Sequence, residues 1–243
     1  MEFTYRGYEN LLKKLTEAGY EFAGYDSWED KKRPVILRHD IDYDVKKALE
    51  LAGLEKRCGA FSTYFVLLSS DLYNVFSDEC SRDLKSIREM GHHIGLHFDE
   101  KKHAGASIGE LPGLIRKEAD ILEAAVGAPI DTVSMHRPRK ELLEADLEIP
   151  GMINSYSSVF FSQFRYISDS RRRWREPVDE IIEQASEERL HILTHAFWYN
   201  DEEISLEESV KRFVGDGNRN RYFNLMGNIT DLASIMKEDE INQ

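Results

Sequence analysis

Cysteine is nearly missing from this sequence. Cys58 and Cys80 are the only two in 243 residues. That is too few for a disulfide framework, and neither stands beside a histidine or a second cysteine at metal-ligand spacing. Long apolar runs are missing as well. None approaches the roughly 20 residues a membrane-spanning helix needs, and Met1-Glu2-Phe3-Thr4-Tyr5-Arg6 lacks the apolar core of a signal peptide. The expectation is a cytoplasmic protein with reduced thiols and no membrane span. Basic residues are outnumbered, 32 against 45 acidic, for a formal net charge of −13. Nucleic-acid binding needs basic surface, so no nucleic-acid partner is expected. The one basic cluster, Arg171, Arg172, Arg173 and Arg175, reads as a solvated loop, with contact to an anionic substrate group as the alternative. No repeat or low-complexity segment is present, which excludes solenoids and disordered tails. Nothing in the sequence fixes the oligomeric state.

What is present is enough apolar residue, 41% of the chain, for a sizeable core. Helical spacing is found over about 7–18, 45–57, 81–90, 109–125, 177–187, 205–214 and 219–237. Between these lie short apolar or β-branched runs: 20–23, 35–37, 61–68, 93–97, 130–135, 152–155, 166–168 and 190–195. Strands alternating with helices predict an α/β fold of parallel strands joined by crossover helices. No compositional break marks a linker, so 1–243 reads as a single domain.

Four strands end in polar residues able to do chemistry, and parallel α/β folds collect their sites at the carboxyl ends of strands. The first is Val35-Ile36-Leu37-Arg38-His39-Asp40-Ile41-Asp42. Alternate strand residues point the same way, so Asp40 and Asp42 can share a pocket while His39 turns away. The second ends at His97, with Asp99 and His103 beyond it. The third ends at His136-Arg137-Pro138. The fourth ends at Leu193-Thr194-His195 and runs into Phe197-Trp198-Tyr199. Between the last two stands Tyr166-Ile167-Ser168-Asp169-Ser170, followed by Trp174. His92 and His93 follow a helix end, where imidazoles satisfy terminal carbonyls. The aromatics could be core, but beside polar loop residues they also suit sugar faces.

In this order the motifs resemble those of NodB-type polysaccharide deacetylases, metal-dependent hydrolases of acetylated amino sugars. Arg38-His39-Asp40-Ile41-Asp42 is similar to a divergent form of the first motif, with one residue between the aspartates. Gly91-His92-His93-Ile94-Gly95-Leu96-His97 resembles the second, Arg137-Pro138 the start of the third, Asp169 with Trp174 the fourth, and Leu193-Thr194-His195 the fifth. The resemblance runs from about residue 33 to 199. It implies a distorted (β/α)7 barrel of the polysaccharide-deacetylase type and a divalent metal; a set of one carboxylate and two imidazoles suits zinc, and other first-row ions as well. It further implies Asp40 as general base, Arg137 as the residue orienting Asp40, and His195 as general acid held by Asp169. Asp42 and His97 become metal ligands and Trp174 walls the acyl pocket, while Trp198, as an aromatic beside polar loop residues, is expected to line the substrate site.

One family ligand is missing. The second metal histidine of that motif falls at Lys101, and a protonated amine does not ligate. A catalytic site normally keeps three protein ligands and one open position. His136 is the expected substitute, ahead of His103, Asp99 and His39. The reaction expected is removal of an N-acetyl group from an amino sugar, a soluble or carrier-linked precursor in surface-polysaccharide metabolism. The alternatives are hydrolysis of a non-sugar amide or ureide, and a non-catalytic carbohydrate-binding relative.

Overall fold

The computed structural model describes residues 1–241. They form two compact units, Met1–Asp201 and Glu202–Gln243, the second described as far as Ile241. No helix among the described residues is long and apolar enough to cross a membrane.

The first unit is built on parallel strands: β1 (Glu21–Ala23), β2 (Pro34–Ile41), β3 (Thr63–Val66), β4 (His93–Phe98), β5 (Thr132–Met135), β6 (Ile153–Asn154), β7 (Arg165–Ser168) and β8 (Leu190–Thr194). Seven of them follow one path, β6-β5-β4-β3-β2-β8-β7, and β1 adds to the first half of β2. Every ladder is parallel. The path ends β6 and β7 are not paired with each other, yet side chains from both ends meet those of the central strands. Tyr156, just past β6, lies under the Arg38 guanidinium of β2, and Tyr166 of β7 packs on His191 of β8. This is the distorted (β/α)7 barrel. Its helices are α1 (Tyr5–Glu17), α2 (Val45–Arg57), α3 (Asp78–Glu89), α4 (Leu111–Val126), α5 (Lys140–Glu144), α6 (Ser158–Ser162) and α7 (Val178–Gln184). They carry apolar stripes such as Tyr8, Leu11, Leu12 and Leu15 of α1 against the sheet.

All of β2 is buried, as a strand covered on both faces must be. Its two faces differ. Val35, Leu37 and Ile41 join the large core under the helices. Ile36 faces the other way, into a small aromatic cluster with Tyr25, Phe65, Phe160 and Phe164 that fills the barrel. By the two-residue period, Arg38 and Asp40 stand above Ile36 on that interior face. Gly95 of β4 is required there, since a Cβ would sit 2.5 Å from the Phe65 ring.

His39 points outward, where it meets a buried carboxylate. Glu55 of α2 is fully enclosed, and accepts hydrogen bonds from Tyr8 (2.6 Å), Tyr64 (2.7 Å), Ser62 (2.6 Å) and His39 Nε2 (2.8 Å). His92 joins through Ser62 (3.0 Å) and the Ala52 carbonyl (3.1 Å). Burial pushes the Glu55 carboxyl up; His39 beside it and the donated hydrogen bonds outweigh that and hold it below the ordinary glutamate value. A carboxyl lowered on folding stabilises above its unfolded pKa, and the stabilisation drains as pH falls through the folded one. Glu55→Gln should therefore lose stability at neutral pH, by about 3–5 kcal/mol if the network collapses. It should also show a shallower fall of melting temperature than the native protein between about pH 5 and 3. Thermal melts across that range check both.

The second unit holds α8 (Leu206–Met226) and the short α9 (Leu232–Ile235). Two helices, 205–214 and 219–237, were expected from the sequence. Instead α8 runs straight through Gly215 and Gly217 and stops before Gly227. Each glycine costs about 1 kcal/mol in a helix. Against this, Ser205 caps the first turn and the i,i+4 pairs Glu207–Lys211 and Glu208–Arg212 support it.

Candidate metal centre and active site

The carboxyl ends of the barrel strands gather a compact polar group. β4 and β5 are neighbours, with His97 opposite Ser134. His136 lies two residues past Ser134, so the strand period carries it to the same face, beside His97. Three ligand-type atoms form a nearly equilateral triangle: His97 Nε2 to His136 Nδ1 is 3.1 Å, His136 Nδ1 to Asp42 Oδ1 is 3.2 Å, and His97 Nε2 to Asp42 Oδ1 is 3.3 Å. Asp42, His97 and His136 are the one metal-type group of three found among the described residues.

The donor set fits a metal. Tetrahedral ligands at zinc bond lengths stand about 3.3 Å apart, the spacing found here. Asp42 Oδ1 is buried and faces both imidazole nitrogens at 3.2 and 3.3 Å, a convergence of three ligand-type atoms that a cation would satisfy. His97 Nδ1 is occupied by Ser134 Oγ at 2.6 Å, an arrangement that turns the Nε2 lone pair toward the triangle.

The alternatives named from the sequence are engaged elsewhere. His103 pairs with Glu118 (2.6 Å), Asp99 with Arg137 (2.6 Å), and His39 with Glu55 and Thr194. Lys101 is exposed in a short 3-10 turn, where Asp99 caps its backbone N–H.

Asp40 stands next to the triangle but is held from below. Arg38 Nε and Nη2 each donate to one of its oxygens, both at 2.8 Å. Arg38 is wholly enclosed, its guanidinium between the rings of Tyr156 (4.8 Å) and Phe65 (5.3 Å). Burial pushes the Asp40 carboxyl up; the guanidinium outweighs it and holds Asp40 below the usual range. Here the structure departs from expectation. Arg137 does not orient Asp40. It pairs with Asp99 and is half exposed, because the loop after β5 lies against the loop after its neighbour β4. Arg38 was missed as a site residue, although it lies two positions before Asp40 on the same face of β2.

His195 follows β8. Its Nδ1 meets Asp169 Oδ1 at 2.6 Å, its backbone N–H donates to Asp169 Oδ2 at 3.1 Å, and Tyr199 donates to that same oxygen at 3.3 Å. Nε2 therefore faces the site, 3.9 Å from Asp42 Oδ2. Burial pushes the His195 imidazole down, but the Asp169 carboxylate beside it wins and pulls it up to about 9. Trp198 is buried with its ring centre 6.1 Å from that of His195. Tyr43, directly after Asp42, packs on Phe197 and Trp198 at 4.8 and 5.9 Å, extending an aromatic wall that the sequence reading did not assign to Tyr43. Trp174 is half-buried against the large core, not free at the mouth. The indole nitrogens of both tryptophans are buried without a hydrogen-bond partner among the described residues.

No protein-family model matches the chain, and no curated protein matches it in sequence. Solved structures do. The structures it resembles include deacetylases and a CE4 family pseudoenzyme. A Streptococcus pyogenes deacetylase, PplD, solved with acetate, is 15% identical, with a TM-score of 0.44 over 58% of this chain and 66% of that one. A CE4 family pseudoenzyme from Bacillus anthracis is 16% identical, with a TM-score of 0.46 over 77% and 64%. The chitin deacetylase of the fungal pathogen Colletotrichum lindemuthianum is 13% identical, with a TM-score of 0.47 over 75% and 81%. The chain spans just under two thirds of the first two.

Proposed function

We propose that this chain is a metal-dependent hydrolase that removes an N-acyl group from an amino sugar, as a divergent polysaccharide-deacetylase-type catalytic domain. The observation that carries the reading is the triangle of Asp42 Oδ1, His97 Nε2 and His136 Nδ1 at 3.1–3.3 Å, with an acid–base pair of side chains beside it. Asp42, His97 and His136 are the residues that would hold the ion. One carboxylate and two imidazoles suit zinc, and other first-row ions as well. When bound, the metal supplies Lewis acidity, which eases ionisation of water and polarises an acyl oxygen.

The remaining chemistry belongs to the chain. Asp40, ionised and oriented by Arg38, takes the proton of the attacking water. His195, protonated and fixed by Asp169, delivers a proton to the amine nitrogen as the carbon–nitrogen bond breaks. Asp169 accepts from Nδ1, which leaves Nε2 as the atom facing substrate, and Tyr199 steadies Asp169. Trp198, Tyr43 and Phe197 present aromatic faces of the kind that pack on sugar rings. The amino sugar is a soluble or carrier-linked surface-polysaccharide precursor in this reading.

Acetate release tests it. The zinc-loaded protein is incubated with a panel of N-acetylated amino sugars, free, phosphorylated and oligomeric, beside non-sugar amides and ureides. Turnover confined to the sugars is expected. Turnover of only the non-sugar compounds overturns the substrate class, and turnover of neither overturns the enzyme.

A further inference from the structure

Asp40 poses a chemical problem that the fold has to solve. Its Oδ2 lies 3.5 Å from His97 Nε2, nearly the same spacing as the three atoms of the metal triangle. That places it beside one ligand of the set and outside the three-residue group itself, so a shift toward the ion would make it a fourth ligand. Four protein ligands close a zinc site, as in structural centres; a catalytic centre needs the fourth position open. Carboxylates are hard, anionic donors that a divalent cation attracts strongly. Something must hold Asp40 back.

Arg38 has the properties required. It grips both oxygens of Asp40, Nε on Oδ1 and Nη2 on Oδ2, each at 2.8 Å. Two parallel bonds fix the plane of the carboxylate as well as its position, which a single ammonium does not do. The arginine cannot follow Asp40 toward the ion. It is fully enclosed, its guanidinium lies between Tyr156 and Phe65, and Phe65 is itself packed at the Gly95 backbone. Its third nitrogen, Nη1, is buried without a hydrogen-bond partner among the described residues. Nη2 also reaches the Tyr156 hydroxyl at 3.4 Å, but the two short bonds of the guanidinium both go to Asp40.

The geometry points to Arg38 as the positioning residue that keeps Asp40 off the metal, so that one coordination position stays open and the carboxylate stays a base. The inference rests on the metal-hydrolase reading above. It separates Asp40 from Asp42 by what holds each of them: Asp42 Oδ1 faces the two imidazole nitrogens of the triangle, at 3.2 and 3.3 Å, whereas both Asp40 oxygens are taken by Arg38.

The test reads the metal site itself. Native protein, Arg38→Met, Arg38→Lys and the double variant Arg38→Met with Asp40→Asn are loaded with zinc and with cobalt(II). Zinc affinity is measured by competition with a chelator, and the open position by titrating azide into the cobalt protein while its visible spectrum is recorded. Azide should shift the native spectrum. In Arg38→Met, Asp40 closes the site: azide no longer shifts the spectrum, and zinc is held about tenfold more tightly or better, where loss of an ordinary supporting contact costs about 10–100-fold in affinity. The double variant regains azide sensitivity and native affinity. Arg38→Lys, charged but unable to bond both oxygens, falls between native and Met, and carries the test alone if Arg38→Met does not fold. Native-like azide response and affinity in the folded Arg38 variants overturn the inference while leaving the hydrolase reading intact. A native protein that binds no zinc or cobalt overturns the parent reading, and this one with it.

Discussion

Asp40→Asn is expected to lower kcat/KM by about 10²–10⁴-fold, the range for a lost general base, while the protein still binds one equivalent of metal. The substitution is nearly isosteric and removes only the charge. The three atoms of the metal triangle belong to Asp42, His97 and His136, so none of them is touched. What is lost is the carboxylate that Arg38 aligns beside them. A cost in stability follows from the same geometry. Arg38 is fully buried, and its charge would then face a neutral amide. Breaking a buried ion pair from one side costs about 3–5 kcal/mol, with asparagine at the mild end because its carbonyl still accepts one bond. Initial rates of acetate release, metal analysis and a thermal melt on one preparation give all three quantities. Loss of metal together with activity would make Asp40 a ligand and refute the assignment.

His195→Ala is expected to cost a similar factor, about 10²–10⁴ on an amide substrate, and the loss should depend on the leaving group. An amine must be protonated to depart, whereas an aryl oxide leaves without help. His195 is placed to give that proton: Asp169 binds Nδ1 at 2.6 Å and, against burial, pulls the imidazole's pKa upward. On an aryl acetate the same variant should retain most of its activity. Equal losses on amide and aryl ester would assign His195 to orienting substrate instead of proton transfer. The pair of substrates thus isolates the step that the Asp169–His195 contact serves.

How far the sequence discloses this site depends on which contacts are local. The two-residue period of β2 places Asp40 inside the barrel and His39 outside it, and both stand there. The same arithmetic, carried one step back, puts Arg38 beneath Asp40; the resemblance drew attention to Arg137 instead. Where Arg137 goes is decided by a longer-range fact. The loops after β4 and β5 lie side by side because those strands pair, with His97 opposite Ser134. That register brings His136 to His97, and Arg137 to Asp99. Neither strand order nor register can be read from periodicity. The Glu55 network is hidden for a related reason. Glu55 reads as one more charged position on α2, and only the packing of α1, β2, β3 and α2 shows Tyr8, His39, Tyr64 and Ser62 converging on it. In the second unit, glycines that usually punctuate a helix sit inside one, since local propensity is a weak term against capping and ion pairs along the same helix.

Metal removal tests the central claim most directly. The purified protein is dialysed against a strong chelator, freed of it, and assayed for metal content and acetate release before and after zinc is returned. The account predicts about one metal ion per chain in the active protein, as the one three-ligand group among the described residues requires, no turnover without it, and recovery on re-addition. Full activity in rigorously metal-free protein would contradict it.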